Sequence, residues 1–196
     1  MKRALCIGVL AYHGDVQEHI DATISAARKL HREIIIIPVR TKQDMVGLDG
    51  LIIPGGESTT LYKLSQKEGI FSQMKKIKYI FGTCAGAIML AKNVKNKTPD
   101  QKTLALMNIT VDRNAYGRQT DSFEQDITSS LGKLHAVFIR APRILAIEKN
   151  VTPLARIGKE IIACEESIDG KYYLASCFHP ELSSTLFHEY FLTKIY

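Results

Sequence analysis

Short aliphatic runs alternate with amphipathic stretches along the first half of the chain. Residues 33–39 include four successive isoleucines, a pattern typical of a strand that is covered on both faces. Between residues 16 and 30, apolar side chains recur at helical spacing. The alternation continues with strands predicted at 4–10, 51–53 and 79–81, and helices at 58–68 and 85–91. This order predicts an α/β fold in which helices flank a parallel sheet, and the strands' carboxyl ends share one edge.

The second half of the chain is richer in strands. Aliphatic runs predict strands at 109–112, 136–139, 144–147, 154–157 and 161–164. The Asp169-Gly170 pair predicts a hairpin turn into a further strand at 172–178, and a helix at 184–194 follows. Residues 92–102 are polar and include a proline, which favours a surface loop. No repeat or linker divides the chain, so we expect a single domain over residues 1–196, with extra antiparallel strands in its second half.

Charge and hydropathy exclude two classes of partner. The net charge is +6, but the lysines are dispersed, and their densest cluster, at residues 63–78, lacks aromatic residues spaced to stack on bases. No segment approaches the ~18 consecutive apolar residues that a membrane helix needs. The apolar run that follows the first three residues lacks the cleavage site of a signal peptide. We therefore expect a cytoplasmic protein that binds neither nucleic acid nor membrane.

The four cysteines differ in their surroundings. No two are spaced as Cys-x-x-Cys, so we expect neither a structural zinc site nor any other metal or cofactor. Cys6, Cys164 and Cys177 lie in apolar, strand-like runs, where cysteine usually behaves as a small buried hydrophobe. Cys84 stands out because of its neighbours.

Residues 82–86 have the sequence Gly-Thr-Cys-Ala-Gly, the Gly-x-nucleophile-x-Gly form of a nucleophile elbow. A predicted strand precedes this segment and a predicted helix follows it, as the motif requires. The start of that helix favours thiolate over thiol at Cys84. A core cysteine among small residues is the alternative interpretation of the same pentapeptide.

The tripeptide His-Pro-Glu at residues 179–181 supplies a base for this nucleophile. In an extended segment, residues two apart face the same way, so Glu181 could orient His179 and stabilise its imidazolium form. Alone, the tripeptide is more often a surface turn, but together with the elbow it predicts a cysteine amide hydrolase. His135 and His188 are competing bases, and neither has a carboxylate similarly placed in sequence.

Residues 54–59, Pro-Gly-Gly-Glu-Ser-Thr, end a predicted strand and begin a helix on the same edge as the elbow. The glycines would let main-chain N–H groups turn toward a developing oxyanion, and Ser58 could cap the helix. A capped strand-to-helix loop would explain these residues equally well. A phosphate loop is less favoured because its Gly-Lys-Ser/Thr ending is absent.

Together these motifs resemble the class I (triad) glutamine amidotransferases, and within them the glutaminase subunits of pyridoxal 5'-phosphate synthase. The elbow and His-Pro-Glu are shared by many amidotransferases. Two more restricted segments indicate the subfamily: Arg-Asn-Ala-Tyr-Gly-Arg-Gln at residues 113–119 and Phe-Ile-Arg-Ala-Pro at residues 138–142. The resemblance also takes in residues 8–11, 18–20, 54–60, 121–124 and 178–182, and so runs nearly the full length.

The resemblance implies a three-layer, flavodoxin-like amidotransferase fold and the hydrolysis of L-glutamine to glutamate and ammonia. Cys84 would attack the amide, His179 would shuttle the proton and Glu181 would orient His179. The ammonia would pass to a separate (β/α)8 synthase subunit in a hetero-oligomer. The positions that match the family's glutamine-binding residues are Gly56, Glu57, Ser58, Arg113, Ile139 and Arg140.

One departure from the family lies after the first strand, where Leu-Gln-Gly is usual and this chain has Tyr12-His13-Gly14. His13 differs from glutamine in shape and charge, so the route by which the oxyanion site is activated is open. We expect the isolated chain to be a poor glutaminase, since the family's oxyanion site needs the partner. Two other functions stay open: the glutaminase subunit of imidazole glycerol phosphate synthase, and a flavodoxin-like redox or chaperone module with an elbow cysteine.

Overall fold

A computed structural model describes residues 3–113 and 122–195. The first half consists, in order, of β1 (Leu5–Leu10), α1 (Val16–Lys29), β2 (Ile34–Val39), β3 (Gly50–Ile53), α2 (Ser58–Lys67), α3 (Phe71–Met74), β4 (Tyr79–Thr83) and α4 (Ala85–Leu90). The second half consists of β5 (Ala91–Lys95), β6 (Met107–Asp112), β7 (Phe123–Ser129), β8 (Gly132–Phe138), β9 (Arg143–Ile147), β10 (Val151–Ile157), β11 (Glu160–Ile168), β12 (Lys171–Ser176) and α5 (Leu186–Lys194). Short 3-10 turns cover Gln43–Met45 and Pro180–Leu182.

The parallel strands form the part of the sheet that carries the site. They lie in the order β2-β1-β3-β4-β12, and each neighbouring pair is parallel. Successive residues of β3 point to opposite sides of the sheet, so Leu51 and Ile53 join one buried cluster and Ile52 joins the other. Helices cover both of these faces. Helices α2 and α4 pack together, as do α1 and α5. The predicted three-layer arrangement around a parallel sheet is confirmed.

Antiparallel strands extend the sheet beyond β12, in the order β11-β10-β7-β8, while β9 pairs with β11 and β6, and β5 pairs with β6. The predicted hairpin joins β11 to β12, with positive φ angles of 51° at Asp169 and 72° at Gly170. These strands confirm the expected antiparallel additions in the second half.

The surface loop predicted at residues 92–102 is wrong in part. Residues 91–95 form β5, which pairs in parallel with β6 while Lys92 and Asn93 face outward, so an exposed strand has the composition of a loop. Gln101, near the other end of that segment, is buried, with 1% of its surface exposed. The prediction also missed β7, whose side chains are largely exposed, and the single turn of α3.

Within the described residues, no helix is long and apolar enough to cross a membrane. The four cysteines are free thiols. Cys164 and Cys177 are buried as predicted, whereas Cys6 is only partly buried and its N–H donates to the Asp49 carboxylate at 2.8 Å.

Candidate active site

Cys84 lies at the turn between β4 and α4, with φ +48° and ψ −105°. A positive φ is rare for a residue with a side chain, and such backbone strain concentrates at functional sites. Packing requires the flanking glycines: a Cβ on Gly82 would lie 2.5 Å from the Gly86 carbonyl carbon, and one on Gly86 would collide with the Ile53 carbonyl oxygen. The predicted elbow geometry is therefore present, and it leaves no room for larger neighbours.

Adjacent parallel strands bring Cys84 and His179 together. Thr83 at the end of β4 pairs with Ser176 at the end of β12, and the Cys84 N–H donates to the Ser176 carbonyl at 2.8 Å. His179 follows three residues later, and its own N–H donates to the Val137 carbonyl of β8 at 2.8 Å. Cys84 and His179 therefore both lie at carboxyl ends of strands, at the edge that the strand order predicted.

His179 and Glu181 form a buried pair, with Nδ1 of His179 2.8 Å from Oε1 of Glu181. Glu181 lies in the 3-10 turn Pro180–Leu182, so the expected extended segment is wrong, although the turn still brings the two side chains together. Burial lowers the pKa of His179, but hydrogen bonds with Asp15, Cys84 and Glu181 outweigh burial and raise that pKa well above its ordinary value. The raised pKa favours the imidazolium form of His179.

Asp15 is a second carboxylate at His179, and the sequence analysis missed it. Its Oδ2 lies 2.9 Å from Nδ1 of His179, so two carboxylates compete for one N–H. Asp15 immediately precedes α1 in the loop after β1, another strand that ends at the same edge. One donor atom from each of Asp15, His179 and Glu181 lies within 4.8 Å of the others, a spacing that could also hold a metal ion. Metal binding would need the Nδ1 lone pair, and that would exclude the hydrogen bond to Glu181.

A further histidine contacts the same carboxylate oxygen of Glu181 as His179 does. Nε2 of His19 lies 3.3 Å from Oε1 of Glu181, and His19 has none of its surface exposed. Burial raises the pKa of the Glu181 carboxyl, but the neighbouring His19 and the hydrogen bonds of His179 and His19 hold that pKa below its ordinary range. In the sequence, His19 could have been noticed as a polar residue on the buried face of an amphipathic helix. The sequence alone does not show which residue it contacts.

The two competing histidines have other hydrogen-bond partners. His188 is fully buried, and burial together with His19 lowers its pKa to about 3. His135 is on β8, where Nδ1 lies 2.7 Å from Asp126 and Nε2 lies 2.9 Å from Glu124, both on β7. His135 has no carboxylate two residues on, as the sequence indicated, but cross-strand neighbours supply two in the fold. These carboxylates hold it at the surface of the β7–β8 pair.

The loops after β1 and β3 pack against each other beside His179. A Cβ on Gly55 would lie 3.2 Å from Nδ1 of His179 and 3.3 Å from Nε2, and one on Gly56, where φ is +122°, would lie 2.5 Å from Nδ1 of His13. A Cβ on Gly14 would lie 2.9 Å from the Gly55 carbonyl carbon. The loops after β1 and β3 therefore form a wall beside His179 in which Gly14, Gly55 and Gly56 have no room for a side chain. His13 lies directly against Gly56.

The cap of α2 differs from the expected one. The Glu57 carboxylate accepts hydrogen bonds from the N–H groups of Thr59 at 3.0 Å and Thr60 at 2.6 Å, whereas Ser58 already belongs to the helix. The prediction that Ser58 caps the helix is therefore wrong. Burial raises the pKa of Glu57, but the hydrogen bonds from Thr60 and Thr59 lower it to about 2, so the cap is a carboxylate at neutral pH.

Of the remaining predicted glutamine-binding residues, Arg113 lies at this cap. Arg113 forms an ion pair with Glu57, and its Nη1 donates to Oε1 of Gln101 at 3.3 Å. Gln101 also donates to Oγ of Ser58 at 2.9 Å, a contact that sequence reasoning missed because this residue was expected in a surface loop. The Ile139 carbonyl lies 3.9 Å from Sγ of Cys84. Arg140 is exposed, with φ +45°, and residues 114–119 of the restricted segment lie outside the described residues.

Comparison with known proteins identifies the family. Residues 9–196 match the SNO glutamine amidotransferase family. The chain is 44% identical to pyridoxal 5'-phosphate synthase subunit PdxT of Pyrococcus horikoshii, over 96% of this chain and 98% of that protein. It is also 44% identical to the PdxT subunit of Methanoregula boonei, with the same coverage. A crystal structure of a glutamine amidotransferase, 42% identical, superposes with a TM-score of 0.81 over 95% of this chain and 97% of the other. This chain therefore belongs to the SNO glutamine amidotransferase family.

Proposed function

We propose that the protein is the glutaminase subunit of a pyridoxal 5'-phosphate synthase and acts in vitamin B6 synthesis. It hydrolyses L-glutamine to L-glutamate and ammonia. The observation that carries this proposal is the arrangement of Cys84, His179 and Glu181: a strained elbow cysteine beside an imidazole whose Nδ1 lies 2.8 Å from a buried carboxylate. The names of the archaeal relatives favour this synthase over the imidazole glycerol phosphate synthase alternative.

The reaction proceeds through a thioester. The Cys84 thiolate attacks the side-chain amide carbon of glutamine, forming a C–S bond and an oxyanion. The C–N bond then breaks as His179 gives its Nε2 proton to the leaving nitrogen, which departs as ammonia. Water, losing a proton to His179, attacks the thioester and releases glutamate and the thiolate. Glu181 stays ionised throughout and holds the imidazole in one orientation.

The wall beside Cys84 would hold the substrate through its charged ends. Glu57 remains ionised at neutral pH and can accept hydrogen bonds from the α-ammonium group. The guanidinium groups of Arg113 and Arg140 can bind the α-carboxylate, since arginine matches carboxylate geometry bidentately. Main-chain groups complete the proposed site, at Gly56, Ser58 and Ile139.

We propose that the ammonia passes to a separate (β/α)8 synthase subunit in a hetero-oligomer. The relatives' description as subunits of pyridoxal 5'-phosphate synthase supports a synthase partner. A single domain over residues 1–196 would carry the glutaminase reaction, with no cofactor or metal. The free thiols support a cytoplasmic location, because disulfides are rare in that reducing compartment.

The experiment that tests this proposal is glutamate release, measured with and without the synthase subunit. We expect Cys84→Ala to abolish turnover in the complex, because the thioester cannot form. Cys164→Ala is the matched control, since it removes a buried thiol from β11 and should retain activity. Turnover by the Cys84→Ala complex would contradict the proposal. Comparable turnover of the wild-type chain with and without the synthase would contradict the expected dependence on the partner.

A further inference from the structure

Two buried histidines lie behind the triad, where α1, α5 and the end of β4 meet. His19 and His188 have none of their surface exposed, and Nδ1 of His19 lies 2.9 Å from Nε2 of His188. The other ring nitrogen of His19 lies 3.0 Å from Oγ1 of Thr83 and 3.3 Å from Oε1 of Glu181. The ring of Phe81 is in edge contact with both imidazoles. Burying a polar group costs free energy unless the group is hydrogen-bonded. The hydrogen-bond partners of these two imidazoles therefore indicate which ring nitrogens carry protons.

The protons of the pair can be assigned from the bonding pattern. His188 is neutral, because burial lowers its pKa to about 3. Its Nδ1 is buried and has no hydrogen-bond partner among residues 3–113 and 122–195. A buried N–H without a partner is rarer than an unpaired acceptor, so the His188 proton is on Nε2 and is donated to Nδ1 of His19. His19 therefore carries its own proton on Nε2, the nitrogen that faces Glu181 and Thr83.

We propose that His19 is a positioning residue of the triad. Its Nε2–H holds Oε1 of Glu181 at the place where that oxygen also accepts from Nδ1 of His179. The same N–H faces the hydroxyl of Thr83, the residue before Cys84, so one imidazole connects the strand of the nucleophile with the carboxylate that orients its base. The inference rests on the proposed glutaminase function and extends it, since it assigns a role to a residue of α1 outside the Cys84, His179 and Glu181 triad.

The charged and titratable groups around this contact set the expected pH effect. Glu181 is faced by His179 from its own turn and by His19 from α1, while His188 backs His19 from α5. Asp15 faces His179 and preserves part of its orientation. Without the His19 donor, the Glu181 carboxylate is less stabilised and takes up a proton at higher pH. The acid limb of the kcat profile should therefore move to higher pH.

Two substitutions of similar chemistry separate positioning from packing. In His19→Gln the amide can reach the place of Nε2, whereas in His19→Asn the shorter amide takes the place of Nδ1. We expect His19→Asn to lower kcat in the synthase complex by roughly 10- to 100-fold, as for a lost hydrogen bond to a charged group, with little change in KM. His19→Gln should recover much of the loss. His135→Gln is the control, a surface histidine with two carboxylate partners, and should match wild type.

A second readout does not depend on turnover. In the isolated chain, NMR titration of His179 should show a lower pKa in His19→Asn than in wild type, because a misoriented Glu181 no longer accepts from Nδ1. If His19→Asn does not fold, His188→Phe takes its place, since it removes the donor that sets the tautomer of His19. A shift of the acid limb in the same direction supports the proposal.

If the folded variants keep the wild-type kcat, the wild-type acid limb and the wild-type titration of His179, the proposed role of His19 is overturned. The same loss in His19→Gln as in His19→Asn, with no movement of the acid limb, would also overturn it in favour of packing alone. If the wild-type complex releases no glutamate, the proposed function fails, and the titration still decides whether His19 positions the pair.

Discussion

Gly55→Ala should damage catalysis through a single added methyl group. Gly55 is not in a positive-φ conformation, so alanine brings no backbone strain there. Its Cβ would lie under 3.0 Å from Cε1 of His179, whereas ordinary contact begins at 3.4 Å. The loop cannot easily retreat, because Gly14 packs against the Gly55 carbonyl group on the β1 side. The imidazole must therefore move, away from its position beside Cys84.

The magnitude follows from the size of that displacement. Contact at 3.4 Å requires the ring to withdraw by more than 0.4 Å, the difference between 3.4 and 3.0 Å. A misplacement of about 1 Å costs on the order of 100-fold in rate. A displacement of about half that distance should therefore lower the rate roughly tenfold or more. Tenfold corresponds to about 1.4 kcal/mol in the activation free energy. We expect this loss in kcat, with the thermal unfolding midpoint close to wild type.

The assay is glutamate release by the complex with the synthase subunit, paired with thermal unfolding of each variant. Gly170→Ala is the matched control, because its Cβ would meet no heavy atom within 4 Å but its φ is +72°. Alanine there should cost about 1 kcal/mol of stability through the left-handed backbone, with unchanged kcat. For a chain of this size that is about 2–4 °C in Tm. If Gly55→Ala keeps kcat within about twofold of wild type, the contact between the β3 loop and His179 does not control the reaction.

Three further predictions use other contacts. Glu181→Gln should lower kcat at least about 100-fold because an amide stabilises imidazolium less well than a carboxylate; steady-state kinetics with near-wild-type rates would contradict it. Glu57→Gln should cost about 1 kcal/mol at neutral pH, as for a lost N-cap. Because the pKa of Glu57 is lowered from 4.5 to about 2, its contribution is present above pH 4.5 and disappears as the pH falls toward 2. Urea unfolding at several pH values should therefore show the wild-type advantage shrinking over that range, and a constant difference would refute it. Gly86→Ala should prevent normal folding, since its Cβ would collide with the Ile53 carbonyl; a folded variant with wild-type Tm would show that the elbow is less tightly packed.

The parallel half of the fold was predictable because its signals are local. Strands covered on both faces are continuous aliphatic runs, such as β2, and the helices between them repeat at helical spacing. Exposed strands carry no such signal, which is why β5 was taken for part of a loop. The cap of α2 was misassigned for a different reason. Both Glu57 and Ser58 are polar, and only the observed start of the helix shows which carboxylate or hydroxyl reaches the free N–H groups.

The nucleophile motif, the base motif and the family could all be found from residue spacing along the chain. Gly-x-Cys-x-Gly and His-Pro-Glu each require particular residues within a few positions, so spacing along the chain is enough to find them. The side chains that contact these motifs became known only from the folded structure. Asp15 and His19 lie more than 150 residues before Glu181 in the sequence, and Gln101 reaches Ser58 from a segment that was expected at the surface. Such contacts depend on which strand ends and helix faces come together, and that follows from packing of the whole sheet rather than from any local pattern.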